Sequence, residues 1–420
     1  MVKKEVVVTG IGVLSPVGVG RESYWNALCE GKSGVGFLTS LGTTRKFIGS
    51  EVPEFNPKDY IKPRKNIKVM SRDIQMSVVS AFHACEDAAL VCEGDSRSVD
   101  PERMGVVFGC DLIGLELSLL ADVYKTVRDS GKSMDLSNWG TYSPEKVMPL
   151  WMLKYLPNMP ACHIGIVLDA RGANNTSTLD RGSSLAALIE AYSVIERGDA
   201  DVMICGGCGN KVNPTILARG KAYDLSTEGD PSRLPRPYDA ERCGTVVGEG
   251  AASFVLESKE FALARGAKPL ARILGVGRAN RPTGQFGIQK ESIVQAIQTA
   301  LRCGDRTVAD LDHVNADGMG TMEDAIEAAA LREVIGDVPV FSAKGHFGNL
   351  GSGTGAVELA ASLIGMQKGE MPATLHCDRV ADDCPINVLQ GGMTPVTKST
   401  FVKINNTNTG RSLAVLFEKI

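Results

Sequence analysis

No run of apolar residues in this 420-residue sequence is long enough to cross a bilayer. Neither charge dominates: 45 basic and 49 acidic residues leave a formal charge of −4, which excludes the broad basic face of a nucleic-acid or membrane binder and leaves partners to be sought in local patches. Paired cysteine motifs are scarce as well. Of the 11 cysteines, only Cys205 and Cys208 stand at C-x-x-C spacing, at the end of an apolar strand and without a second ligand pair, so no metal is assigned. Scattered thiols in odd number fit a reducing cytoplasm better than a disulfide framework. The opening VVVTGIGVLSPVGVG imitates a signal peptide, but Thr9, Gly10 and Pro16 break it, and it reads as a first buried strand.

What is present is an alternation of short apolar strands and amphipathic helices, the pattern of an α/β protein. The organising stretch runs from Ala170 to Gly207. Leu185, Leu188, Ile189, Tyr192 and Ile195 fall at helical spacing, Gly198 supplies a stop, and Val202 to Cys205 make an apolar strand. The turn before that helix aims free N–H groups inward, where an enzyme would place a nucleophile whose charge needs stabilising. Asp180 reads there as an N-cap. Arg181 is out of place, because a cation in the first turn opposes the helix dipole by about 0.3–1 kcal/mol unless an anion is near.

Gly10-Ile11-Gly12 reads as a tight turn closing the first strand, since a third glycine and an acidic residue on a second strand are missing. Lys62, Arg64, Lys65 and Lys68 form the densest basic run, either a solvated face or a dock for an acidic partner. From Leu112 to Leu156 the pattern is irregular, with a helix over Leu115–Arg128, and Leu150, Trp151, Met152, Leu153, Tyr155 and Leu156 read as core. Strand and helix alternation resumes after Ser258, echoing the first series. The expected halves are residues 1–256, with an insertion over 112–160, and 257–420. Glycine turns at Asp317-Gly-Met-Gly, Lys344-Gly-His-Phe-Gly-Asn349 and Asn405-Asn-Thr-Asn408 precede helices or join strands, places where such chains gather reactive side chains.

These segments together resemble the β-ketoacyl-[acyl-carrier-protein] synthase family, nearest its elongating type II members. The resemblance rests on VVVTGIGVLSPVG, ERGDADVMICGG, RPYDAERCGTVVGEGA, VNADGMGT and SAKGHFGNLGSGTGAVE, and covers almost the full length. It implies a thiolase-like fold, two βα-rich halves in a five-layered α-β-α-β-α arrangement, with no cofactor. Family members condense an acyl chain with malonyl carrier protein through a Cys nucleophile and two His residues. Here the cysteine position falls on Arg181, or Asp180 with a one-residue slip, the first histidine on Asp317 and the second on Asn349. Lys344 is retained, a carboxylate stands at Glu327, and in the glycine-rich gate Asn408 replaces phenylalanine while Arg411 and Ser412 replace its T-N.

The resemblance thus implies a condensing-enzyme homologue of fatty-acid or polyketide biosynthesis without ketosynthase activity, because a guanidinium is no nucleophile. Arg181 and Asp317 are expected to form a charge-assisted hydrogen bond, with bidentate geometry open to them, against the alternatives that Arg181 turns outward or pairs with Asp180. Three roles remain open. The first is a chain-length-factor-like subunit paired with an active ketosynthase, and the second an acyltransferase or decarboxylase using His346, Cys110, Ser183 or Ser184. The third is a homodimeric module that binds acyl carrier protein or acyl chains. The resemblance puts the carrier dock at Lys62, Arg64, Lys65 and Lys68, and the dimer strand at Asn174, Asn175 and Thr176.

Overall fold

The computed structural model of the chain describes residues 3–41, 46–92, 94, 96–111, 113, 117–219, 224–226, 229–282 and 286–420, with the side chains of 117–119 set aside. The expected starts of the irregular segment and its helix, Leu112 and Leu115, lie outside the described residues. Ten strands carry the architecture: β1 (Val6–Ser15), β2 (Met104–Gly109), β3 (Asn174–Ser177), β4 (Val202–Asn210), β5 (Val247–Ser258), β6 (Ala271–Asn280), β7 (Leu311–Asn315), β8 (Val340–Phe341), β9 (Thr400–Asn406) and β10 (Arg411–Lys419). The first five pair in the order β1-β5-β4-β2-β3, and the second five repeat it as β6-β10-β9-β7-β8. In each half the first two pairings are antiparallel and the last two parallel. The echo seen faintly in the sequence is therefore a repeat of topology, and the halves are stitched by Val6–Val8 against Ala271–Ile273.

Six helices fill the layers: α1 (Arg72–Asp87), α2 (Met159–Leu168), α3 (Ser183–Arg197), α4 (Lys290–Cys303), α5 (Glu323–Ile335) and α6 (Thr354–Lys368). Strand alternation sorts the core. Val202 and Ile204 of β4 pack with α1 and α2, while Met203 and Cys205 turn to the central layer of α3 and α6. In the second half Ala414 and Leu416 face α4 and α5, and Leu413, Val415 and Phe417 face the centre. With both faces covered the strands read as continuous apolar runs, and five layers result, the thiolase-like fold. The helix start that bears Arg181 consequently lies between the two sheets.

Two local expectations are corrected. Gly10 and Gly12 lie inside β1, which runs on to Ser15. They are small because α1 presses on the strand there: a Cβ at either would overlap the Ala84 or Ser80 carbonyl oxygen. The segment Leu150–Leu156 is not core. It forms one helical turn, Trp151–Lys154, on the surface, with Leu150 56% and Met152 53% exposed. Trp151, Leu153, Tyr155 and Leu156 are half-buried, and none of the six is fully enclosed.

Candidate functional site

The site forms where the start of α3, the turns after β7 and β8, the start of α5 and the β9–β10 hairpin converge. Arg181 and Asp317 each keep only 3% of their side chains exposed, and Arg181 Nε lies 3.0 Å from Asp317 Oδ2. Arg181 Nε donates to the Asn406 carbonyl at 2.7 Å, and Nη2 to Glu323 Oε2 at 2.6 Å. From Asp317 the charges continue inward. Lys344 Nζ donates to Asp317 Oδ1 and Glu358 Oε1, each at 2.5 Å, and Lys403 Nζ reaches Glu358 Oε2 at 2.6 Å. Glu323, Arg181, Asp317, Lys344, Glu358 and Lys403 thus form a ladder of alternating sign with no net charge.

Alternation is what makes this burial tolerable. Removing a charge from water costs several kcal/mol per ion, which neighbours of opposite sign offset only when geometry and hydrogen bonding are good. Burial pushes the Asp317 carboxyl upward, but Lys344, Arg181 and Lys403 outweigh it and bring it down to about 2. Burial opposes the charge on Arg181 too, yet Asp317 and Glu323 raise its pKa further. At Lys403 burial prevails, and its pKa is lowered.

Glu327 and Asp324 clamp the turn that carries Asp317. Glu327 accepts from the N–H groups of Asp317 (3.1 Å) and Gly318 (2.8 Å), from Asn406 Nδ2 (2.9 Å) and from the Tyr238 hydroxyl (2.6 Å). Asp324 accepts from the N–H groups of Met319, Gly320 and Tyr238. Burial holds both carboxyls above the ordinary range, Asp324 at about 7.

In front of the ladder lies a cavity of about 280 Å³, lined among others by Arg181, Glu323, Asn349, Asn408, Asp180 and Lys211. The Asn349 side-chain oxygen accepts from the Gly351 N–H (2.9 Å) and the Thr354 hydroxyl (3.3 Å), which leaves its NH2 for the cavity. Asn408 stands exposed at the rim. Lys211 Nζ lies 2.9 Å from Asp180 and 3.7 Å from Asp111, two carboxylates on one ammonium. Burial pushes the Asp111 carboxyl up, whereas at Asp180 Lys211 and Arg181 overcome burial and hold it down. Polar donors and carboxylates dominate this lining, and no sulfhydryl contributes to it among the described residues.

Several sequence expectations are corrected here. Asp180 does not cap α3 with its side chain, which goes to Lys211; the first helical turn is closed by Ser183, whose hydroxyl accepts from the Leu179 N–H and donates to the Asp180 carbonyl. Arg181 is not bidentate to Asp317, because Glu323 takes its Nη2. The alternative nucleophiles do not line the cavity. His346 is buried against the Lys32 carbonyl, and burial lowers its pKa to about 4. Contact with Cys208 and burial push the Cys110 thiol far up. The Ser184 hydroxyl is buried without a hydrogen-bond partner among the described residues, and Ser183, Ser184, Cys110 and His346 all lie outside the cavity lining. Glu323, Glu358, Lys403, Asp111 and Lys211 were not singled out from the sequence; GAVE after the glycine turn was the one visible trace of Glu358.

Away from the cavity, Lys62, Arg64, Lys65 and Lys68 are all exposed, and no ion pair engages them among the described residues. Strand β3 is the sheet's edge, and Asn174 and Asn175 are exposed on it. The Ala173 and Ser177 carbonyls accept from the N–H groups of Val106 and Cys110, so by alternation the backbone groups of Asn174 and Thr176 turn to the free edge, where the Thr176 N–H donates to Asn175 Oδ1 at 2.8 Å. No group of three or more His, Cys, Asp or Glu side chains placed to hold a metal occurs among the described residues. No helix among them is long and apolar enough to cross a membrane.

Comparison with known proteins matches residues 3–262 to the N-terminal domain of beta-ketoacyl synthase and residues 270–378 to its C-terminal domain. The chain belongs to the β-ketoacyl synthase family. It is 30% identical over 407 residues to 3-oxoacyl-[acyl-carrier-protein] synthase 2 of Rhizobium meliloti, covering 92% of each chain. Among solved structures, a beta-ketoacyl synthase from Burkholderia phymatum superposes with a TM-score of 0.87 at 27% identity, over 99% of this chain and 100% of that one. The ishigamide ketosynthase/chain length factor superposes at 0.86 with 25% identity over 100% of both. This β-ketoacyl synthase homologue is therefore a condensing-enzyme relative of fatty-acid or polyketide biosynthesis.

Proposed function

We propose that the protein is a non-condensing member of its family that pairs with an active ketosynthase and meets acyl carrier protein, as a chain-length factor does. The observation that carries the proposal is Arg181 at the start of α3, tied to Asp317, Glu323 and the Asn406 carbonyl. By the motif alignment this is the nucleophile's place, and a guanidinium held by two carboxylates attacks no thioester. Asp317 and Asn349, at the aligned histidine places, are fixed respectively as an anion and as an amide whose oxygen is already used. Neither offers the neutral imidazole donors that decarboxylation of a malonyl group draws on. Retention of a fully packed scaffold fits a remaining task in assembly. The exposed basic run beside Ile61 suits an acidic carrier surface, and the free edge of β3 suits pairing with another condensing subunit.

The test is incubation of the purified protein with radiolabelled acyl carrier thioester and malonyl carrier protein, alone and after co-expression with active ketosynthases from the same organism. Expected are no covalent label and no carbon dioxide from the protein alone, and a stable complex with one synthase. A labelled acyl-enzyme from the lone protein would overturn the proposal, and peptide mapping would name the nucleophile.

A further inference from the structure

At the far end of α1, in the outer layer away from the cavity, two thiols are in contact: Cys85 Sγ and Cys92 Sγ lie 3.9 Å apart. Local hydrogen bonds bring them together. The helix closes with the Leu90 N–H donating to the Cys85 carbonyl at 2.8 Å, which folds the chain back over the helix end. The returning strand is then fixed from its other side, where Arg97 donates to the Cys92 carbonyl (2.6 Å), the Leu168 carbonyl (3.1 Å) and the Asp169 carbonyl (2.9 Å). Val91 and Ser98 close the same loop, Val91 N–H to Ser98 Oγ at 3.0 Å and Ser98 N–H to the Val91 carbonyl at 2.9 Å. Both thiols line a surface cavity of about 360 Å³ with Phe82, Leu90, Val91 and Leu168. Cys85 is 5% and Cys92 7% exposed, so a small reagent entering that cavity reaches sulfur that larger molecules do not.

We propose that Cys85 and Cys92 form a reversible disulfide, a redox latch that staples the end of α1 to the loop returning from it. A disulfide needs the sulfurs at about 2.05 Å, so closure shortens their contact by roughly 2 Å, which side-chain torsions supply while the backbone stays held. With a peroxide as oxidant the atoms balance. One thiolate attacks a peroxide oxygen, the O–O bond breaks and hydroxide leaves, giving a sulfenic acid; the second thiolate attacks that sulfur and expels hydroxide. In sum, two thiols and hydrogen peroxide give one disulfide and two waters. The contact with Cys92 and burial push the Cys85 thiol well up, so closure quickens as pH rises above neutral. Exposed Cys243 and Cys303 serve as internal markers of oxidant dose.

The whole protein is treated with hydrogen peroxide, blocked with N-ethylmaleimide and digested with trypsin. Residues 73–97 emerge as one peptide, since no Lys or Arg falls between Asp73 and Ser96. Expected is a peptide lighter by two hydrogens, about 2 Da, that takes no maleimide, stays joined after cleavage at Glu86 and opens with dithiothreitol. Closure should raise the thermal midpoint reversibly, and Cys92→Ser should lose both the mass change and that shift. Recovery of residues 73–97 carrying two maleimides, at a dose that has fully oxidised Cys243 and Cys303, would overturn the latch. So would Cys85 and Cys92 recovered as separate sulfinic acids or joined to other cysteines.

Discussion

Asp317→Asn keeps the shape of the ladder's central rung and removes its charge. In the native chain the carboxyl is brought to about 2 by Lys344, Arg181 and Lys403 against the cost of burial, and in the unfolded chain it returns to about 3.9. A depressed folded pKa stabilises the protein above the unfolded value and loses that contribution as pH falls toward the folded one. The difference is on the order of 2–3 kcal/mol at pH 7, lost between about pH 4 and pH 2. The variant also leaves Arg181 and Lys344 buried with one carboxylate partner each, Glu323 and Glu358, so the ladder gains a net positive charge. Breaking a buried pair in this way costs about 3–5 kcal/mol in all. With a urea slope of about 3 kcal/mol/M, the midpoint at pH 7 should fall by about 1–1.7 M. Urea unfolding of both proteins from pH 7 to pH 3 measures it, and the gap should narrow by about 1 kcal/mol, or about 0.4 M, by pH 3. A midpoint within 0.2 M (about 0.6 kcal/mol at that slope) of wild type at pH 7, or an unchanged gap at pH 3, would refute the electrostatic account of the ladder.

Arg181→Cys introduces a thiol just before α3 but strands Asp317 and Glu323; we expect no condensation activity in the radiolabel assay and a loss of about 3 kcal/mol in unfolding. Lys65→Glu with Lys68→Glu should weaken binding of acyl carrier protein about tenfold at low salt and less at high salt, by surface plasmon resonance at two ionic strengths, since exposed charges are screened. A salt-independent loss would place the dock elsewhere. Thr176→Pro removes an edge N–H, held in the lone chain by Asn175 Oδ1, without touching the carbonyls that accept from Val106 and Cys110, so light scattering should show lost association with an unchanged circular dichroism spectrum.

Much of the molecule was legible from residue patterns alone. The apolar period of α3, its stop at Gly198, the strand that follows and the glycine turns around Asp317 and Lys344 are local events, decided by torsional preference and by which side chains face one way. The misfit of a cation at the start of α3 likewise pointed to an anion nearby, and Asp317 is the carboxylate the structure places against it. Sequence did not determine how the charges were shared. Glu323, not a second oxygen of Asp317, takes the other arm of Arg181, and Lys211 draws Asp180 away from the helix it was expected to cap. Gly10 and Gly12 looked like a turn because sequence carries no record of the helix pressed against them. The sequence by itself determined most of the local elements and the family resemblance. Only the tertiary structure decided the partners, because ion pairs and close packing depend on distances across two sheets, and chain spacing encodes those only through the finished fold.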